Sequence, residues 1–197
     1  MTPAIFAAFI AAAIPAFFTP GPNNLMLMAS GAKFGFGRTI PHGAGVAVGF
    51  AVMVALVGLG LGEVFQYVPW LKTALEYVAA AYLLYLAWTL LGLKIHDASP
   101  RERPLTFLQA AGFQWINPKA WAMAVSFGAL VVDPGPGRFV GIAVLGIGSL
   151  VLGALSSPTW MIFGDRLEKL LKRTGGERFV GIVLALLVVA SVVLFLL

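Results

Sequence analysis

The chain has 197 residues, 60% of them hydrophobic and only 11% charged, with mean hydropathy +0.94. A soluble domain carries about a quarter charged residues, so this composition excludes one and points to a polytopic membrane protein whose charges cluster between long apolar gaps. The net charge of +5 falls in short connections, where Lys and Arg set membrane orientation, and so implies no nucleic-acid partner; absent cysteines exclude disulfides and thiol chemistry.

Six apolar spans are expected in chain order: about Ala4 to Ala32, Ile40 to Gly62, Val68 to Leu93, Leu105 to Val132, Arg138 to Phe163 and Arg178 to Leu197. Most exceed the roughly 20 residues that cross a bilayer, and none alternates as a barrel strand would. Residues 1 to 20 lack a basic leading segment and read as a retained first helix. The connections after spans one, three and five carry Lys33 and Arg38; Lys94, Arg101 and Arg103; and Arg166, Lys169, Lys172, Arg173 and Arg178. The other two connections carry only Lys72 and Arg138, a bias that puts both termini outside. "GDRLEKLLKRTGGERF", Gly164 to Phe179, is expected to form a short amphipathic helix on anionic headgroups.

Two spans are interrupted. Span one contains Pro20-Gly21-Pro22-Asn23-Asn24, and span four contains Asn117-Pro118-Lys119. Proline lacks an N–H and restricts the residue before it, while Asn followed by Pro is a helix-start signature. Each site therefore reads as an ended helix followed by a new one. Each opens a set of three spans, and an odd number inverts the second set. The expected fold is an all-α membrane protein of six transmembrane helices. They form two inverted three-helix repeats (1–93 and 105–197, joined by a cytoplasmic loop over 94–104) in a single domain, with helices 1 and 4 interrupted. Matched interruptions in inverted halves point to a transporter's binding site.

The chemistry suits a carboxylate. A helix start presents unpaired N–H groups and about half a positive charge. Lys119 adds a full charge, which costs about 2.5–3.5 kcal/mol at a bilayer centre unless it meets a partner or a wet cavity. Glu76 is the obvious structural partner for it, and a substrate carboxylate the functional one. Asn23, Asn24 and Asn117 can bond the substrate or cap the new helices.

At these residues the chain resembles the lysine exporter (LysE/RhtB) family of amino-acid efflux proteins. The matching pieces are "TPGPNNLMLMASGAKFGFGRTIPHGAGVAVGF" (Thr19 to Phe50), "YVAAAYLLYLAWTLL" (Tyr77 to Leu91) and "FLQAAGFQWINPKAWAMAVSF" (Phe107 to Phe127). The resemblance implies export of an amino acid or close derivative across the cytoplasmic (inner) membrane, driven by a proton or ion gradient and without a cofactor. Where the family carries a Pro-Gln-Phe-like stretch, this chain reads "GALVVDPGPGRF", which leaves the substrate open.

Other residues extend the candidate set. Glu76 lies roughly 12 Å into span three at 1.5 Å per residue, where a carboxyl suits a proton carrier or a substrate amine. Tyr77, Ala81, Tyr85 and Trp88 share one face of span three, which suits helix packing or the lining of a pathway, with Tyr85 the substrate-contact candidate. His42, beside the basic loop, reads as interfacial. Gly31/Gly35, Gly45/Gly49 and Gly58/Gly62 are spaced for close helix approach, compatible with packing alone or with a homo-oligomer. The alternatives are an intramembrane enzyme, for which Ser156 and Ser157 lack a base; a metal-ion exporter, whose ligand clusters are missing from the spans; and a non-transporting assembly protein.

Overall fold

The computed structural model describes residues 2–63, 67–91, 102–133, 135–174 and 177–196. Thr2 caps the first helix by accepting from the Ile5 N–H, and α1 runs Pro3–Phe18. It stops because Pro20 has no N–H to continue the ladder; α2, Pro22–Phe34, starts two residues after that proline at a bend of 45°. Gly35, at φ 77°, turns the chain directly into α3, Phe36–Gly58. That positive φ is one L side chains rarely adopt. A 3-10 turn over Leu61–Glu63 leads toward α4, Pro69–Leu91. A Thr106–Gln109 capping box opens α5, Phe107–Phe113. Four successive i→i+3 bonds over Gln114 to Asn117 then tighten the chain before α6, Pro118–Val131. The last two helices are α7, Arg138–Thr174, and α8, Glu177–Leu196.

All described elements are helical. Among them Phe36–Gly58 and Arg138–Leu170 are each long and apolar enough to cross a membrane, and the bent α1–α2 pair makes a third if it is one span. The expected amphipathic segment is not a separate helix: span five continues into it as far as Thr174, as one 37-residue helix about 55 Å long at 1.5 Å per residue. Pro158 inside α7 does not end it. The second span also starts earlier and ends earlier than expected, because Gly35 and Gly60, both at positive φ, bracket α3. The loop residues 94–101 lie outside the described residues.

Small residues let the helices approach. A Cβ on Gly31 would overlap the Met161 carbonyl and one on Gly164 the Met28 carbonyl, so α2 and α7 meet backbone to backbone. Gly45 and Gly49 do the same for α3 against α5, a Cβ on Gly49 falling 2.6 Å from Ala111 Cα. A core of Phe9, Phe17, Phe50, Met53, Phe127 and Leu145 fills the space between α1, α3, α6 and α7. Its rings pack edge to face, Phe9 on Phe127 and Phe17 on Phe50, each at 5.4 Å.

Candidate functional site

The two helix breaks meet. Asn23 Nδ2 donates to Gln114 Oε1 at 2.8 Å and Gln114 Nε2 returns a bond to Asn23 Oδ1 at 3.2 Å, although the residues are 91 positions apart. Lys119 Nζ crosses in the other direction to Thr19 Oγ1 at 2.9 Å and Thr19 O at 3.3 Å. A cavity of about 40 Å³ lies between the breaks, lined by Gly21, Asn23, Asn24, Asn117 and Lys119 on its polar side. Val46, Ala47, Phe50 and Met123 form an apolar wall, and Gly153, Ser156 and Ser157 a small one. Val46 to Phe50 stand at the middle of the 23-residue α3, which sets the cavity at mid-depth of that helix. At 10–15 Å³ per water the volume takes a few waters, so it must widen to admit an amino acid.

Each asparagine has a distinct job. Asn24 Nδ2 donates to both Phe17 O and Thr19 O at 2.8 Å, capping the carbonyls that the end of α1 leaves without helical partners. Ser156 Oγ adds a 2.7 Å bond to the same Phe17 O. Asn117 caps the start of α6 by accepting from its Lys119 N–H at 3.1 Å. Gln114 Nε2 donates to Ala110 O at 2.9 Å, so it closes the end of α5 much as Asn24 closes the end of α1. The start of α2 has no side-chain cap. Its Asn23 and Asn24 N–H groups are at positions without intrahelical acceptors, and both residues line the cavity.

Of the two roles expected of Asn117, the structure shows the cap. The cavity does not join two bare helix starts: Asn117 already closes that of α6, and Lys119 rests on the end of α1. Gly21 is extended, at φ 179° and ψ 177°, a conformation open to any residue. Its missing side chain matters because a Cβ there would come within 2.9 Å of Lys119 Cδ and 3.0 Å of Nζ.

Other expected residues fall elsewhere. Pro22 and Pro118 are buried as first residues of their helices, and Pro20 is exposed at the bend. Tyr85 is 64% exposed on the outer face of α4 with Tyr77 and Trp88, away from the cavity lining. Glu76 belongs to α4, but its side chain is outside the described residues. His42 is buried inside the bundle, 1% exposed, with Nδ1 3.1 Å from Ser30 Oγ. The helix continues N-terminal to Pro41 as far as Phe36, which moves His42 into the bundle. Gln114, fully buried, and Ser157, 3% exposed, were not expected at the site. The sequence signal for Gln114 was an amide three residues before Asn117 in an apolar span, where Gln109 is another. Ser157 Oγ makes no hydrogen bond among the described residues.

Discontinuous helices that meet inside an apolar bundle, with polar groups converging on a mid-depth cavity, define the class of membrane transport proteins. Comparison with known proteins then identifies the family. The LysE type translocator model matches residues 14–197, and the chain belongs to that family. It is therefore a translocator of the membrane and not an enzyme. It is similar to the cysteine/O-acetylserine efflux proteins of Salmonella typhimurium (28% identical over 189 residues) and Escherichia coli K12 (28% over 193), with 96% of each chain covered. The Klebsiella pneumoniae protein of the same name is 26% identical over 170 residues, covering 86% of this chain and 87% of its own. No solved structure matches.

Proposed function

We propose that this chain is a secondary exporter of a small zwitterionic amino acid or close derivative, moved outward across the inner membrane by alternating access and driven by a proton or ion gradient. The observation that carries this is the meeting of the two breaks through Asn23–Gln114 and Lys119–Thr19 around one cavity. The substrate carboxylate is held by the uncapped start of α2 and by Lys119; Gly21, Pro22 and Pro118 shape the breaks, and Asn24 and Asn117 hold them open. The free Ser157 hydroxyl suits a small polar side chain, in keeping with relatives named for cysteine and O-acetylserine efflux. Glu76 remains the candidate for proton coupling.

The spans are six, in two inverted repeats with both termini outside. Helix packing supports this. Exchanging α1–α2 with α5–α6, α3 with α7 and α4 with α8 turns the α2–α7 contact into α6–α3. It likewise turns α1–α7 into α5–α3, α2–α3 into α6–α7 and α2–α8 into α6–α4, and each of these pairs is in contact. The Lys and Arg count of the connections supports the orientation.

The test is an efflux assay in cells loaded with a panel of amino acids that includes cysteine and O-acetylserine. Expression should raise export of at least one and relieve growth inhibition by it. Export of none, with no relief, would overturn the reading, and normal export by a folded Lys119→Ala protein would remove Lys119 from the site.

A further inference from the structure

The end of α1 is an acceptor site with an ammonium already seated on it. Helix C-termini carry about half a negative charge on their unpaired carbonyls. Here Phe17 O is taken by Asn24 and Ser156 and one lone pair of Thr19 O by Asn24 at 2.8 Å, while Thr19 Oγ1 and the remaining lone pair of Thr19 O face Lys119 Nζ at 2.9 and 3.3 Å. Thr19 Oγ1 spends its own proton on Ala16 O, leaving lone pairs for the lysine. Thr19 is exposed, Lys119 is half-buried, and no carboxylate pairs with Lys119 among the described residues. Lys119, which lines the cavity that the proposed substrate enters, thus reaches out of it to neutral acceptors on Thr19, a residue outside that lining.

A zwitterion entering that cavity brings both a carboxylate for Lys119 and an ammonium in need of acceptors. Were Lys119 to stay on Thr19, the two ammonium groups would compete for one helix end and repel each other. We propose that Lys119 is a tethered stand-in for the substrate's α-ammonium. In the empty transporter it occupies the Thr19 seat at the end of α1, and on loading it yields that seat to the substrate ammonium and turns to the carboxylate. The exchange rests on the exporter reading above and adds a device to it: the empty site carries its own cation, so the helix end is compensated while the carrier resets. The contact with the lysine tip makes Gly21 the residue that lets Lys119 lie on the seat.

The experiment uses purified full-length protein and three probes: cysteine, cysteamine (which lacks the carboxylate) and N-acetylcysteine (which lacks the ammonium). Binding is read by ligand-dependent thermal stabilisation over a concentration series. Lys119→Met vacates the seat, so cysteamine should bind about tenfold more tightly than to wild type, the scale of one charge-assisted hydrogen bond regained, while N-acetylcysteine weakens. Gly21→Ala, which keeps the lysine but crowds it off Thr19, should also tighten cysteamine and serves if Lys119→Met does not fold. Cysteamine affinity unchanged or weakened in the folded variants, with cysteine still bound by wild type, overturns the shared seat alone. Failure of wild type to bind any of the three overturns the seat together with the exporter reading on which it rests.

Discussion

Replacing Gln114 by leucine tests whether the two breaks are held together by their amide pair. The substitution keeps side-chain bulk and removes three bonds: two shared with Asn23, at 2.8 and 3.2 Å, and one to Ala110 O at 2.9 Å. Hydrogen bonds between membrane helices average about 0.6 kcal/mol and reach about 1.7, so the two that cross between the breaks are worth about 1–3 kcal/mol together. Gln114 is fully buried, whereas Asn23 is half-buried and can recover water, which favours the lower half of that range. A double-mutant cycle with Asn23→Leu isolates the term, since the Ala110 bond is lost only through Gln114. Unfolding of the four proteins in detergent should give a coupling of about 1–2 kcal/mol. Strict additivity, within about 0.5 kcal/mol, would refute the idea that this pair joins the two half-sites.

Four further outcomes are expected. Gly164→Val drives a branched side chain into the Met28 carbonyl and should cost about 1–3 kcal/mol or more by separating α2 from α7, seen as a lowered melting temperature; an unchanged melting curve would show that these helices do not meet as described. Ser149 Oγ is buried without a hydrogen-bond partner among the described residues, so Ser149→Ala should stabilise by about 1 kcal/mol in the same assay, and a loss of stability would mean the hydroxyl has a further partner. Tyr85→Ala, on the exposed face of α4, should leave export within about twofold of wild type, because its ring contact is to Tyr82 and neither residue lines the cavity; a collapse of transport would return it to the site. Reversing the exposed Lys33–Glu102 pair, 2.7 Å apart, should be nearly silent as a double swap and cost no more than about 1 kcal/mol singly, and a larger effect on transport rate than on stability would mark the pair as part of a gate.

Much of the site was legible because its residues break local rules. Proline and asparagine inside an apolar span have no place in an uninterrupted helix, so Pro20 to Asn24 and Asn117 to Lys119 announced two helix ends without any tertiary information. The glycine spacing at Gly45 and Gly49 likewise announced a close contact, which α5 makes. Gln114 was harder to read: nothing local distinguishes an amide that reaches across 91 residues from one that faces a headgroup. The burial of His42 was equally hard to read, because proximity to Lys and Arg in sequence says nothing of the face that the helix turns toward Ser30. The face of Tyr77, Tyr85 and Trp88 was periodic, but periodicity cannot say which side of a membrane helix meets its neighbours when both sides are apolar.

By itself the sequence determined the class, the number of breaks and their residues, because hydropathy and backbone chemistry act within a few residues of one another. Tertiary structure decided which half-helix ends face the cavity, that Asn117 closes one start while that of α2 stays open, and that Lys119 lies on the end of α1. Those outcomes depend on how two segments about 100 residues apart are pressed together. The pressing is done by glycines on α2, α3 and α7 and by edge-to-face rings that join α1 to α6 and α1 to α3.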